Sequence, residues 1–169
     1  MADYFAEADR RDVSAKVTRA LLDTLYTTPK PGLVDRYNNG GRKNMTLATF
    51  EASTKALRPF WGRCMEIGQQ TAEEPPGETF AWLREPGMAA ERDMYAATGG
   101  VNTHKGAIFI LGVICGALGR LWRPEAPCRD VNVITRVCAD MTRSAMDADF
   151  AAPRPNGRRS CCTAAITRR

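Results

Sequence analysis

Residues 106–119 read GAIFILGVICGALG and form the longest uncharged apolar stretch of the chain. Its 14 residues are fewer than the roughly 20 that a membrane-spanning helix requires, so the stretch predicts a buried helix. Glycines occur in it at positions 106, 112, 116 and 119. Each glycine costs about 1 kcal/mol relative to alanine in a helix, so we expect these small residues to let a neighbouring backbone approach closely. The stretch therefore predicts a central, closely packed helix.

Helical periodicity extends over most of the remaining sequence. Apolar residues repeat every three or four positions, and no segment alternates apolar and polar residues over the length of a strand. The pattern predicts helices at about 9–25, 46–64 with a kink at Pro59, 79–97 with an interruption at Pro86-Gly87, 103–122 and 129–148. The predicted fold class is all-α, a multi-helix bundle that we expect to be an incomplete domain.

The charge distribution divides the chain in two. The 169 residues have a formal net charge of +5, but residues 1–150 hold 19 basic and 19 acidic residues. The excess lies in five arginines of residues 151–169. We therefore expect residues 1–150 to form the helical part and residues 151–169 to be a disordered or aberrant basic tail. Because no basic face is indicated, we expect no nucleic-acid partner.

The cysteine pattern and the N-terminal sequence indicate a cytoplasmic protein. The six cysteines show no Cys-x-x-Cys spacing and the chain has one histidine, so neither a zinc site nor a disulfide framework is predicted. The first residues lack the basic and apolar regions of a secretory signal. We expect reduced cysteines, a cytoplasmic location and no membrane partner.

The first polar segment, residues 28–44, combines prolines, glycines and basic residues. Prolines stiffen a loop, glycines free backbone N–H groups, and cations replace part of the hydration of an anion. The segment therefore predicts phosphate contacts, with positive charge from Lys30, Arg36, Arg42 and Lys43. Asp35 in the same loop is a candidate for binding Mg²⁺ or for accepting a substrate proton. A solvated linker with incidental charges is the alternative.

The second polar segment, residues 97–106, is a glycine-rich turn that leads into the apolar helix. A helix N-terminus presents unpaired N–H groups and a partial positive charge, which together favour an anion. Asn102 or Thr103 is expected to cap the helix. Lys105 in its first turn opposes the helix dipole, which suggests a bound anion. His104 is equally compatible with a structural and a functional role. Glu91 on the preceding helix could belong to a solvated helix face, or it could bind a metal or accept a proton.

Both segments, in this order, resemble the triphosphoribosyl-dephospho-coenzyme A synthase family. The matching residues are TPKPGLVD at 28–35, Asn39-Gly40, Met45, Arg84, Gly87, Ala90-Glu91, Met94 and ATGGVNTHKGAIF at 97–109. The resemblance covers about residues 21–121 and implies an all-helical fold. It also implies a reaction in which ATP and 3′-dephospho-CoA are the substrates, the triphosphoribosyl group is transferred and adenine leaves.

The resemblance implies roles for particular residues. Phosphate contacts are expected from Lys30, Arg36, Lys105, Asn102, Thr103 and the amides of Gly99 and Gly100. Asp35 and Glu91 are the expected ligands of Mg²⁺ or the base, and His104 is expected to contact phosphate or donate toward adenine. We expect the proline–lysine loop and the helix entrance to converge on one polyphosphate, with Lys30 and Lys105 in one cleft.

The resemblance also implies a pathway. The product is the prosthetic-group precursor for the acyl carrier subunit of citrate lyase or malonate decarboxylase, with a holo-acyl-carrier-protein synthase acting downstream. The chain departs from the family pattern after Asn39-Gly40, where Arg42 and Asn44 replace a histidine and an aspartate. A distal Gly-Arg-Gly-Glu-Ala-like motif is also absent. We therefore expect a truncated form that is weakly active or inactive. The alternative is a non-catalytic helical module that binds nucleotides or coenzyme A, or pairs with another subunit.

Overall fold

A computed structural model describes residues 2–124, 126 and 128–151 of the chain. These residues form six helices: α1 (Ala2–Tyr26), α2 (Leu47–Ala56), α3 (Arg58–Gln70), α4 (Pro76–Thr98), α5 (Lys105–Arg120) and α6 (Val131–Ala151). They contain no strand, only one isolated antiparallel bridge between Val34 and Asn39. The all-α prediction is confirmed. The predicted tail, apart from Ala151, lies outside the described residues and stays a prediction.

Helix α5, which contains the whole apolar stretch, packs against α3, α4 and α6. The backbone of α5 comes very close to the backbone of α3. A Cβ atom added to Gly119 would lie 2.0 Å from the carbonyl oxygen of Met65, and one added to Gly68 would lie 2.0 Å from that of Gly116. The predicted close approach of a neighbouring backbone is confirmed, because only glycine fits at these contacts.

The core surrounds α5 and contains large side chains from α3, α4, α5 and α6. Its fully buried members include Leu57, Trp61, Cys64, Ile67, Met94, Ile108, Cys115 and Met141. Helix α1 lies along α3 and α2, and its partly buried Val13, Val17 and Leu21 pack against the core. These three residues are spaced four positions apart, in agreement with the helical periodicity predicted for residues 9–25. No helix within the described part of the chain is both long and apolar enough to cross a bilayer.

Two predictions about prolines were wrong. At Pro59 the chain does not kink one helix but separates two, and this proline occupies the first turn of α3, where its missing N–H is not needed. At Pro86 the predicted interruption is absent and α4 continues from Pro76 to Thr98. An internal proline costs about 3 kcal/mol. Packing of α4 against α2, α3, α5 and α6 offsets that cost.

The two polar segments become the α1–α2 loop, residues 27–46, and the turn between α4 and α5, residues 99–104. The first ends in a capping box, in which Thr46 accepts a hydrogen bond from the Thr49 amide and Thr49 accepts one from the Thr46 amide. Helix α2 lies against α1 and α4. The end of the α1–α2 loop and the start of α5 therefore meet at α2.

Candidate functional site

A cleft of about 340 Å³ opens where the end of α1, the α1–α2 loop, α2 and the start of α5 meet. Its lining is largely apolar, with a few cationic and polar side chains. The residues that line it are Leu21, Thr24, Leu25, Lys30, Leu33, Val34, Arg42, Met45, Phe50, Asn102, Thr103 and His104. This volume is at the lower end of the range for small-molecule sites. The two predicted segments therefore share one cleft, and Lys30, Asn102, Thr103 and His104 all face it.

Asp35 lies beside the cleft, buried beneath the loop that it organises. Its Oδ1 accepts hydrogen bonds from the amides of Tyr37 (2.9 Å) and Asn38 (3.0 Å) and from Asn38 Nδ2 (3.1 Å). Its Oδ2 accepts from Thr28 Oγ1 (3.1 Å) and from the Lys30 amide (3.2 Å). The backbone donors, led by Tyr37, lower the pKa of Asp35 to about 2.

This arrangement argues against the metal and base roles predicted for Asp35. Five donors occupy the two carboxylate oxygens, which leaves no free lone pair for a cation or a substrate proton. A carboxylate with so low a pKa is also a weak base. The carboxylate of Asp35 therefore stabilises the conformation of the loop.

Lys30 links the loop to α1 and faces the cleft. Its Nζ donates to the carbonyl oxygens of Thr24 (2.8 Å) and Leu25 (3.1 Å), which lie in the last turn of α1. A cation is favourable at this end of a helix, where carbonyl groups lack intrahelical partners. An ammonium group has three N–H donors. One donor of Lys30 is therefore left for a ligand in the cleft.

The loop turns tightly before Arg42. Gly40 has a φ of +57°, and a Cβ atom there would lie 2.6 Å from the carbonyl oxygen of Gly32, so the turn requires glycine. Arg42 follows and lines the cleft. Within the described residues its side chain donates only to Met45 Sδ, at 3.5 Å. Most of the guanidinium donors of Arg42 are therefore available to an anion.

The glycines of the second segment end α4 and do not line the cleft. Gly99 is the C-cap in the left-handed conformation (φ 65°), and its amide donates to the carbonyl oxygen of Tyr95. The Gly100 amide donates to the same carbonyl oxygen at 2.8 Å. Both amides that were expected to bind phosphate are therefore already used within the chain.

Lys105 and Glu91 pair with each other. Lys105 Nζ lies 3.1 Å from Glu91 Oε2, and both side chains are largely buried. The expectation that Lys105 needs an anionic ligand at the helix start overlooked Glu91 as its partner. Neither residue lines the cleft, so the predicted convergence of Lys30 and Lys105 is not what the structure shows. The N-cap of α5 is His104 and not Asn102 or Thr103, although Asn102 Oδ1 accepts a hydrogen bond from the Lys105 amide at 3.2 Å.

Arg36 also lies outside the cleft lining. Its guanidinium stacks over the ring of Tyr26, with Cζ 5.0 Å from the ring centroid. The hydroxyl of Tyr26 donates to Glu51 on α2, and this hydrogen bond is the main cause of the raised pKa of Tyr26. The predicted phosphate ligand therefore contributes to a contact between the α1–α2 loop and the two helices it joins.

His104 is the N-cap residue of α5 and is 9% exposed. Its Nδ1 lies 2.7 Å from Ser53 Oγ, and the edge of its ring meets Phe50 with centroids 5.2 Å apart. The Thr103 hydroxyl donates to the same Ser53 oxygen at 2.8 Å. Burial lowers the pKa of His104 to about 4, so the ring is neutral at pH 7.

The described residues do not fit a resident magnesium ion. No group of three or more His, Cys, Asp or Glu side chains in this part of the chain is placed to hold a metal. Asp35 has its oxygens occupied by loop donors, and Glu91 is paired with Lys105. No step of the chemistry is therefore assigned to a metal bound by these two carboxylates.

Sequence reasoning missed two residues of the site, Ser53 and Phe50, which contact His104 from α2. Arg42, which the sequence offered as one of four loop cations, lines the cleft. Ser53 gave no comparable signal, because a serine within a helical pattern has no distinguishing neighbours in the sequence.

The described residues form an all-helical fold with a cleft of apolar walls, cationic side chains and one neutral imidazole, and its volume lies in the range of small-molecule sites. The sequence model of the family described as ATP:dephospho-CoA triphosphoribosyl transferase matches residues 10–164. The chain belongs to this family, which confirms the resemblance found in the two polar segments.

Two curated relatives are similar to this chain. A protein of Citrobacter koseri, named a probable 2-(5''-triphosphoribosyl)-3'-dephosphocoenzyme-A synthase, is 45% identical over 115 residues, which cover 68% of this chain and 38% of that protein. A Klebsiella pneumoniae protein named 2-(5''-triphosphoribosyl)-3'-dephosphocoenzyme-A synthase is 44% identical over 133 residues, which cover 77% of this chain and 44% of that protein. The matched part of the chain thus spans less than half the length of each of these relatives. No solved structure matches it.

Proposed function

We propose that the chain takes part in transferring the triphosphoribosyl group of ATP to 3′-dephospho-CoA, with release of adenine. Family membership and the names of the two relatives support this proposal. The observation that it rests on is the cleft: two segments about 60 residues apart contribute Lys30, Arg42 and His104 to one cavity. That cavity offers donors for phosphate and apolar walls for a nucleoside.

Each part of a nucleotide would contact a different part of the cleft lining. Lys30 has one free ammonium donor and Arg42 has most of its guanidinium donors free, so both would contact the triphosphate. Phe50 and the leucines of α1 offer apolar surface to the ribose and base. ATP would enter as its magnesium complex, with the ion held by the triphosphate as part of the substrate.

The proposed reaction is a substitution at the anomeric carbon of the ATP ribose. The bond from C1′ to adenine breaks with its electron pair on adenine, and a bond forms between C1′ and a ribose hydroxyl oxygen of dephospho-CoA. The hydroxyl gives up its proton and adenine gains one, so no other reactant is needed. His104, which lines the cleft, would form a hydrogen bond with the departing base.

The product would serve as the prosthetic-group precursor for the acyl carrier subunit of citrate lyase or malonate decarboxylase. A holo-acyl-carrier-protein synthase would then attach it. Such a pathway belongs in the cytoplasm and requires neither nucleic acid nor a membrane. These finer assignments follow from the resemblance of the two polar segments to the family.

One observation favours a second candidate function, a non-catalytic module that binds nucleotides or coenzyme A, or pairs with another subunit. Within the described residues no carboxylate lines the cleft, and the single histidine there is neutral with a pKa of about 4. The acceptor hydroxyl therefore finds no strong base among them. A chain that binds ATP without transferring its ribose would fit this arrangement.

Adenine release tests the proposed function. The 169-residue chain, incubated with magnesium–ATP and 3′-dephospho-CoA, is expected to release adenine only when both substrates are present, as measured by chromatography. Arg42→Met should lower the rate at subsaturating ATP by about tenfold or more, because a charge-assisted phosphate contact is lost. Arg42 has little other bonding, so its replacement should leave the fold intact.

Arg11→Met is the matched control for this assay. Arg11 is exposed on α1 and pairs with Glu7, ten residues or about 15 Å along the helix from the nearest cleft residue. Its replacement should leave the rate within twofold. ATP binding without adenine release would favour the module, and failure to bind either substrate would contradict both functions.

A further inference from the structure

Ser53 is wholly buried in α2 and lies between the two polar side chains at the start of α5. Its Oγ is 2.8 Å from Thr103 Oγ1 and 2.7 Å from His104 Nδ1. Both distances are typical of hydrogen bonds between such atoms. Ser53 therefore joins Thr103 to the imidazole in one chain of three groups.

The number of protons in this chain restricts the state of the ring. The Thr103 hydroxyl donates to Ser53 Oγ, and among the described residues His104 Nδ1 is the acceptor that lies within reach of the Ser53 hydroxyl proton. An imidazole nitrogen that accepts a hydrogen bond has no proton, so in the neutral ring the proton resides on Nε2. We propose that Ser53 is a positioning residue that sets His104 as the Nε2–H tautomer and fixes it as a hydrogen-bond donor in the cleft.

Other contacts hold the ring in the same orientation. Phe50 packs against it in an edge-to-face arrangement, with an interplanar angle of 81°. The His104 amide donates to Met94 Sδ at 3.2 Å, which fixes the backbone at the start of α5. With Nδ1 engaged by Ser53, Nε2 is the nitrogen left for a ligand in the cleft.

The electrostatic surroundings agree with a neutral donor. Burial lowers the pKa of His104, and the charged groups that share the cleft, Lys30 and Arg42, are both cations that disfavour a second positive charge. Lys105 follows His104 directly, but Glu91 on α4 neutralises it. Lys30, Arg42 and the Lys105–Glu91 pair therefore provide no free anion that would stabilise a protonated His104.

The consequence for catalysis rests on the proposed function. In that reaction electrons move onto adenine as its bond to C1′ breaks, and ring nitrogens of the base become better acceptors. A fixed Nε2–H donor would stabilise this charge without first having to gain a proton. The same tautomer has no lone pair on Nε2, so His104 would not remove the proton of the acceptor hydroxyl.

The tautomer can be measured without any activity, because His104 is the only histidine of the chain. Protein labelled with ¹⁵N-histidine should give one imidazole in a long-range ¹H–¹⁵N spectrum. At pH 7 we expect Nδ1 to resonate as an unprotonated nitrogen and Nε2 as a protonated one. The opposite pattern, with the proton on Nδ1, would overturn the proposal.

Variants of Ser53 separate positioning from packing. In Ser53→Ala we expect the two nitrogen signals to move toward each other as the preference for one tautomer is lost. Because burial lowers the pKa of His104, the ring of this variant should stay neutral at pH 7. Ser53→Thr retains the hydroxyl and should restore the wild-type pattern. Spectra of Ser53→Ala unchanged from wild type would contradict the proposal.

Ser14→Ala is the matched control, because Ser14 is also buried in a helix and donates to the carbonyl oxygen of Arg58, away from His104. It should leave the imidazole signals unchanged, and thermal unfolding verifies that each variant is folded. If the tautomer is as expected but wild-type protein releases no adenine, the proposed function fails while the role of Ser53 stands. If adenine is released but Nδ1 bears the proton, the role of Ser53 fails while the proposed function stands.

Discussion

Gly119→Ala is expected to lower the free energy of unfolding of the helical bundle by about 3 kcal/mol or more. In the folded chain the added methyl would lie 2.0 Å from the carbonyl oxygen of Met65 and 2.9 Å from Cα of Gly68. Both obstacles are backbone atoms, so neither can rotate away as the end of a side chain can. Helix α5 would have to separate from α3, its closest partner in the core. Urea denaturation followed by circular dichroism measures the loss.

Gly106→Ala in the same helix is the matched control. Gly106 is exposed, and a Cβ atom there would meet no atom within 4 Å. Alanine should leave the stability unchanged or raise it by up to about 1 kcal/mol, because it restricts the unfolded chain and favours the helix. Similar unfolding free energies for the two variants would contradict the close contact between α3 and α5.

Asp35→Ala is expected to open the α1–α2 loop and to lower the free energy of unfolding. The substitution leaves five hydrogen-bond donors of the loop without their acceptor. Arg36 and Arg42 lie in this loop, so limited trypsin digestion should cut after them at least tenfold faster than in the wild type. Cleavage at an unchanged rate would show that Asp35 does not organise the loop.

Asp12→Ala is the control for this substitution. Asp12 is exposed and pairs with Lys16 one turn away, so its loss should change stability by less than about 0.5 kcal/mol.

Acid gives a second test. The pKa of Asp35 is lowered from 3.8 to about 2, so its contribution is present above pH 3.8 and is lost as the pH falls toward 2. The stability difference between wild type and Asp35→Ala should shrink over that range.

The architecture could be predicted largely from hydrophobic periodicity. The stretch at 106–119 predicted a central helix, and α5 contains all of it. The prolines were less predictable, because their effect depends on what surrounds them. Pro86 stays within α4 since neighbouring helices pack against it, and Pro59 begins a new helix. Neither context is visible in the local sequence.

The site was predicted in outline, but local chemistry does not reveal the partners that the fold gives to several of its residues. Lys105 looked like an anion ligand until the structure placed Glu91 beside it. Asp35 looked like a metal ligand, but its oxygens are filled by the amides of its own loop. Ser53 is 51 residues from His104 in sequence, and only the packing of α2 against α4 and the start of α5 brings the two together.

The central claim is that the cleft between the α1–α2 loop and the start of α5 binds a nucleotide. The most direct measurement is an NMR titration of the ¹⁵N-labelled chain with magnesium–ATP. We expect saturable shifts of the single imidazole of His104 and of the amides of Phe50 and Asn102. Arg42→Met should weaken the apparent affinity by about tenfold. Shifts confined to the arginine-lined surface between α1 and α3, around Arg10 and Arg58, with the His104 signals unmoved, would contradict the account.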